Sequence, residues 1–343
     1  MPLEVTSVAD DLVVLHDGPV AHRFEDLTPG TEYELMGVAV RTLARPRGER
    51  LCTFATANDV HFGEVECGVL DDATPDQGPI MRVGPGERPH PEVMSRAAVA
   101  EMAILDPVAV IVKGDLTCVG TRAEYDAFLD CYQGAFGERL HHVRGNHDAM
   151  AGLTYADGPS RIDLPGLTVA LLDTVIPGKD SGGLDADQLA WLDEVAASAG
   201  RDGRPVAVMA HHFPWNPASA TRPDSYFGLS PEASEALLAV VARRGNIVGT
   251  FAGHSHRNRR RLFPATGAVP HVEVACVKDF PGTWAEYRVF EGGVLQVHHR
   301  TSTPDAIAWS ERCRGLYRDF GVDYPPFALG AVDDHSFAFG LTR

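Results

Sequence analysis

The chain has 343 residues, 44% of them hydrophobic, enough to bury a large core in one main domain with an appendage. Its 30 basic residues against 47 acidic ones leave a formal charge of −17, which excludes a general attraction to nucleic acid or anionic lipid. An acidic protein that handles a phosphate compound therefore needs concentrated local positive charge, and bound metal ions are the most economical source.

The opening stretch MPLEVTSVADDLVV has no basic segment followed by an apolar run, and no apolar run is long enough for a membrane span. The six cysteines lack CxxC spacing and read as reduced thiols, so the expected location is cytoplasmic. Residues 1–50 carry short apolar runs broken by turn signals such as Pro29-Gly30, which predicts a small β appendage. The phrase DLTPGTEYEL is similar to a strand turn of fibronectin-type sandwiches, with strands added to the main sheet as the alternative.

From Leu51 onward, short β-rich runs each end in polar residue types. LCTFATA precedes Asn58 and Asp59, VAVIVKG precedes Asp115, RLHHVRG precedes Asn146, RPVAVMA precedes His211, and NIVGTFAG precedes His254. Between them lie helical patterns, PEVMSRAAVAEMAIL and LDADQLAWLDEVAASAG, the second opening with Asp185 and Gln188 at capping-box spacing and closing on Gly200. Strands alternating with helices predict an α/β layered domain over residues 51–300. WAEYRVFEGGVLQVHHR predicts a hairpin turning at Gly292-Gly293. Residues 301–343 are rich in Phe, Tyr and Leu and predict a tail packed on the sheet edge, near the substrate rim or across a subunit contact, which a homodimer would use.

The strand ends supply NDVH (Asp59, His61), GD (Asp115), GNHD (Asn146, His147, Asp148), AHHFP (His211, His212) and GHSH (His254, His256). Carboxylate oxygen and neutral imidazole suit Zn, Fe, Mn or Co, and one aspartate has two oxygens with which to bridge a pair of ions. The i, i+2 spacing of DVH and HSH fits either a loop that converges on one site or one face of a strand. The remaining histidines, including His141 and His142 within a strand, read as structural.

These five blocks, in this order and each after a predicted strand, resemble calcineurin-like metallophosphoesterases over roughly Leu51 to Arg300. The resemblance implies a four-layer αββα sandwich of two mixed sheets around a dinuclear centre. By position it makes Asp59, His61 and His256 ligands of one ion, Asn146, His211 and His254 ligands of the other, and Asp115 the bridge. His147 would protonate the leaving alkoxide or stabilise phosphoryl charge, and Asp148 would orient the His147 ring. Two ions about 4 Å apart would lower the pKa of a shared water, whose hydroxide attacks phosphorus in line. His211 and His212 could exchange roles.

Purple acid phosphatases, a branch of the superfamily, carry a metal-binding tyrosine three residues after the bridging aspartate, where this chain has Cys118. GDLTCVGTRAEYDAF, SGGLDADQLAWLDE and HHFP are more similar to the branch holding cyclic-nucleotide and glycerophosphodiester phosphodiesterases, with Phe213 replacing a usual proline. The implied activity is hydrolysis of a small phosphodiester, 3′,5′-cyclic nucleotides first. A phosphomonoesterase acting on nucleotides or sugar phosphates is the alternative, and an inactive metal-binding scaffold is a third reading. His212, Phe62 and Trp215 are candidate substrate contacts, with Tyr226 a further stacking candidate and core packing the alternative for the aromatics. Specificity is expected in the Asp71–Pro91 and Pro177–Leu184 loops.

Overall fold

The computed structural model describes residues 3–69, 78–152 and 154–341. Two six-stranded mixed sheets form its centre. The first runs, from edge to edge, Leu140–Val143, Val110–Lys113, Arg50–Ala57, Thr283–Phe290, Gly293–Arg300 and Phe337–Phe339. Its first three strands are parallel and the rest antiparallel. The second runs Ser160–Leu164, Leu167–Leu172, Val206–Ala210, Ile247–Ala252, Pro270–Glu273 and Arg259–Leu262, with the four inner strands parallel.

Strand periodicity explains the layering. Ala55, Ala57, Val110 and Val112 face the helices His90–Ile104 and Arg122–Phe136, where they meet Met94, Met102, Phe128 and Tyr132. The alternate residues Phe54 and Ile111 point the other way, into the space between the sheets, against Val169, Leu171, Met209 and Phe251. Ala170, Val206 and Val208 face the helices Ala186–Arg201 and Pro231–Arg243 through Leu192, Val195, Leu237 and Val241. Strands buried on both faces read as nearly continuous apolar runs, and the result is the expected four-layer αββα sandwich.

Two local expectations shift. The helix capped by Asp185, whose carboxylate accepts from the Gln188 N–H, runs through Gly200 to Arg201 rather than closing on the glycine. The hairpin turns at Glu291-Gly292, since Phe290 pairs with Gly293 and Gly293 is already strand.

Residues 4–41 form a three-stranded antiparallel sheet, Glu4–Val8, Val13–Asp17 and Val20–Phe24, and a hairpin of Glu32–Leu35 with Val38–Arg41; neither belongs to a large sheet. Ala9, Leu12 and Val14 pack on Phe290, Leu295 and Val297. Arg288 also reaches out to Asp10 and Asp11, at 2.6 and 2.7 Å. The tail begins with the helix Pro304–Arg312 and ends in Phe337–Phe339, which pairs with Gly293–Arg300 at the sheet edge. Among the described residues no helix is long and apolar enough to cross a membrane.

Candidate metal centre

The carboxyl ends of three strands from the first sheet and two from the second converge, which is where open α/β sheets hold ligands. Backbone bonds lace the loops together. The amides of Val60 and His61 donate to the Asp115 carbonyl at 2.9 and 3.0 Å, Gly253 N–H donates to the His211 carbonyl, and His254 N–H to the Asp59 carboxylate. A Cβ at Gly145 would collide with Asp115, and one at Gly253 with Asp59, so these glycines let neighbouring loops close on the site.

Asp115 lies at the centre of the cluster. Its Oδ2 is 3.4 Å from Nε2 of His61 and 3.3 Å from Nε2 of His211. On one side Asp59, His61 and His256 bring their donor atoms within 4.8 Å of one another. On the other, Nε2 of His211 is 3.1 Å from Oδ1 of Asn146 and 3.2 Å from Nδ1 of His254. All seven residues that the motifs singled out as ligands meet here.

Carbonyl partners settle the ring tautomers, because a carbonyl can only accept. His211 donates from Nδ1 to the Lys113 carbonyl at 2.9 Å and His254 from Nε2 to the Phe227 carbonyl at 2.7 Å. Each ring therefore turns its other nitrogen inward, the one a bound cation would take, as ligating histidines do. Neither ring nitrogen of buried His61 has a hydrogen-bond partner, and burial followed by the charge of Lys278 pushes its pKa down to about 4, which keeps the ring neutral. Burial opposes charge at His211 too, yet Asp115 outweighs it and lifts the pKa to about 9, the mark of carboxylate charge short of a cation. Orphaned imidazole nitrogens, surplus carboxylate charge and an all-N/O donor set fit divalent cations.

The backbone is strained at the same place. Asp59, His61, Asp115, His254 and His256 all have φ between 46° and 69°, the left-handed region that non-glycine residues rarely occupy. Each such residue costs on the order of 1–3 kcal/mol, and strain of this kind concentrates at functional sites.

Other expected residues take different places. The Asp148 carboxylate does not reach the His147 ring. It accepts from the N–H groups of Leu116, Thr117 and Gly145 and from the Thr117 hydroxyl, all at 2.6–3.0 Å. His147 instead donates from Nδ1 to the Cys118 carbonyl at 2.6 Å. Phe62 is a core residue packed on Phe128 and Tyr132, not a substrate contact. Trp215 is buried, with its backbone N–H donating to the Ser234 hydroxyl. His212 packs behind His254 with both ring nitrogens engaged, by the Thr174 hydroxyl and the Asp180 carbonyl, so His211 and not His212 faces Asp115. Burial pushes the Cys118 thiol up to about 12, and the residue meets His147 through its backbone carbonyl. Beside the cluster, Arg257 and Arg261 both pair with Glu273. Of the two expected specificity loops, residues 71–77 lie outside the described residues, while Asp180 in the other supports His212.

Three residues escape the motifs. Asp279 stands behind His256, Lys278 reaches Glu64 at 2.6 Å, and Phe227 lies on His254. Asp279 had a usable signal, since HVEVACVKD repeats the pattern of an apolar run ending in an acid.

An αββα sandwich with this cluster at its strand ends defines a metallophosphoesterase fold. The family model of the calcineurin-like phosphoesterases matches residues 53–258, and the chain belongs to that family. It is 30% identical over 172 residues to a cAMP/cGMP dual specificity phosphodiesterase of Mycobacterium tuberculosis, covering 46% of this chain and 52% of the relative. It is 29% identical over 163 residues to a glycerophosphodiester phosphodiesterase of Enterobacter lignolyticus, covering 44% and 56%. The chain thus spans about half the length of the curated relatives it matches. A dimetal phosphatase from Danio rerio shares the fold, with a TM-score of 0.55, 17% identity, and coverage of 74% of this chain and 97% of that one.

Proposed function

We propose that the protein is a dinuclear metal-dependent phosphodiesterase acting on a small diester, 3′,5′-cyclic nucleotides first, with residues 51–300 as the catalytic domain. The observation that carries the reading is the place of Asp115 Oδ2, about equally far from His61 and His211, which belong to separate donor groups. In this reading Asp59, His61 and His256 would hold one ion, Asn146, His211 and His254 the other, and Asp115 would serve both. The ions, when bound, supply Lewis-acid charge and a more acidic water. His147, fixed through Nδ1–H on the Cys118 carbonyl, presents Nε2 to the leaving oxygen and, as the doubly protonated ring, gives it the Nε2 proton and is left neutral. The substrate class is taken from the names of the two relatives, both phosphodiesterases.

The test is hydrolysis by Mn-loaded protein of 3′,5′-cyclic AMP, 2′,3′-cyclic AMP, a glycerophosphodiester, bis(p-nitrophenyl) phosphate and a monoester, with Asn146→Ala alongside. Diester turnover that needs added metal and vanishes in the variant supports the reading. Full activity in Asn146→Ala removes the site assignment, and faster monoester turnover replaces the diesterase by a monoesterase.

A further inference from the structure

The segment Phe213–Leu229 passes over the second-sheet side of the centre and is fixed there at several points. Leu229 N–H donates to the Phe213 carbonyl at 2.8 Å, and the Gly228 carbonyl accepts from Gly182 N–H at 3.0 Å. A Cβ at Gly228 would collide with the Phe213 carbonyl, so the two ends of the loop meet closely. Phe227 is held here by its own backbone, because its carbonyl takes the Nε2–H of His254.

The Phe227 ring lies on the imidazole of His254, with centroids 4.0 Å apart and planes 27° apart. One face is thereby covered, and the residue remains 57% exposed, more than any other phenylalanine described. Two further exposed apolar side chains follow residues of the opposite wall. Val119 comes after Cys118, whose carbonyl holds His147, and Met150 ends the short turn that carries His147. A centre built of carboxylates and imidazoles therefore has exposed apolar groups on the segments that flank it, and on one of them a flat ring is held in place before any ligand arrives.

We infer that Phe227 is the stacking platform for a flat aromatic group of the substrate, and that the protein selects phosphodiesters carrying a base or aryl group over those carrying only aliphatic alcohols. This rests on the phosphodiesterase reading, since it seats the phosphate at Asp115 and the ring one imidazole away. Stacking suits any base, because each has a π-face, so Phe227 sets the class of substrate and not the identity of the base.

The experiment compares Phe227→Ala, Phe227→Leu and Phe227→Trp with the parent. All keep the backbone carbonyl that anchors His254. The readouts are the ratio of kcat/KM for 3′,5′-cyclic AMP to that for glycerophosphoglycerol, the calorimetric affinity for adenosine 5′-phosphate, and bound metal per chain. Loss of one base–aromatic stack lowers the ratio by about tenfold in Phe227→Ala, weakens adenosine 5′-phosphate to a similar degree, and is restored by Phe227→Trp. An unchanged ratio, or a loss that follows falling metal content, overturns the inference. A parent that hydrolyses no phosphate ester refutes the activity alone, and stacking is then decided by whether Phe227→Ala weakens the nucleotide.

Discussion

Oδ2 of Asp279 lies 3.5 Å from Nδ1 of His256, while Nε2 of the same ring lies 3.5 Å from Asp59. The other Asp279 oxygen accepts from the Tyr324 phenol at 2.6 Å and from the Cys276 thiol at 3.0 Å. A residue of the tail thus supports a carboxylate that supports a candidate ligand. Such carboxylate–histidine pairs fix ring orientation and raise ligand basicity. Replacing Asp279 with Asn should weaken Mn(II) binding by about 10- to 100-fold in a calorimetric titration. Tyr324→Phe should weaken it less, since the carboxylate stays. Parent-like affinity in Asp279→Asn would show that His256 needs no such support.

His147 is fixed by a single bond from Nδ1, which leaves Nε2 free to act. In His147→Asn, kcat on an alkyl diester should fall by about 10²–10⁴-fold with bound metal unchanged. The loss should shrink for a p-nitrophenyl ester, whose leaving group departs without a proton. Equal losses on the two esters would assign His147 to stabilising phosphoryl charge.

The fold and the cluster of candidate ligands were legible because most of these residues follow strands with buried ends, so a continuous apolar run such as VAVIVKG announces the residue after it. The glycines of GNHD and GHSH belong to the same signal, since Gly145 and Gly253 are where loops touch. Asp148 misled because adjacency in sequence is not adjacency in space. It follows His147 in a tight turn, where side chains i and i+1 diverge, and its carboxylate turns to the backbone beneath. Phe62 misled in the same way, pointing away from its neighbour His61 into the helix-side core. Phe227 had no readable mark, because it meets His254 through a carbonyl that every residue owns.

The Asp148 geometry has its own consequence. Three buried N–H groups depend on this one carboxylate, and removing it leaves each without its acceptor. At about 1 kcal/mol or more per orphaned donor, Asp148→Ala should lose at least about 3 kcal/mol in urea unfolding. Activity should fall through loss of the folded site. A variant with parent stability and the kinetic defect of His147→Asn would restore the role of ring orienter.

Part of the acid stability should be set away from the candidate metal centre, where the appendage meets the first sheet. Glu286 is buried, which opposes its charge, but a 2.9 Å bond from His299 and a 2.7 Å bond from Arg288 outweigh burial and hold its pKa down to about 2. Arg288 continues the chain of charge to Asp10 and Asp11. A carboxyl with a folded pKa below its unfolded value stabilises the fold above the unfolded value and loses that contribution as pH falls towards the folded one. From the ordinary 4.5 down to about 2, the difference is worth about 3 kcal/mol. Glu286→Gln should therefore destabilise the protein at pH 7 and flatten the stability curve between pH 4.5 and 2, as read by urea unfolding at stepped pH. A variant that keeps the parent's acid slope in that window would place the responsible carboxylate elsewhere.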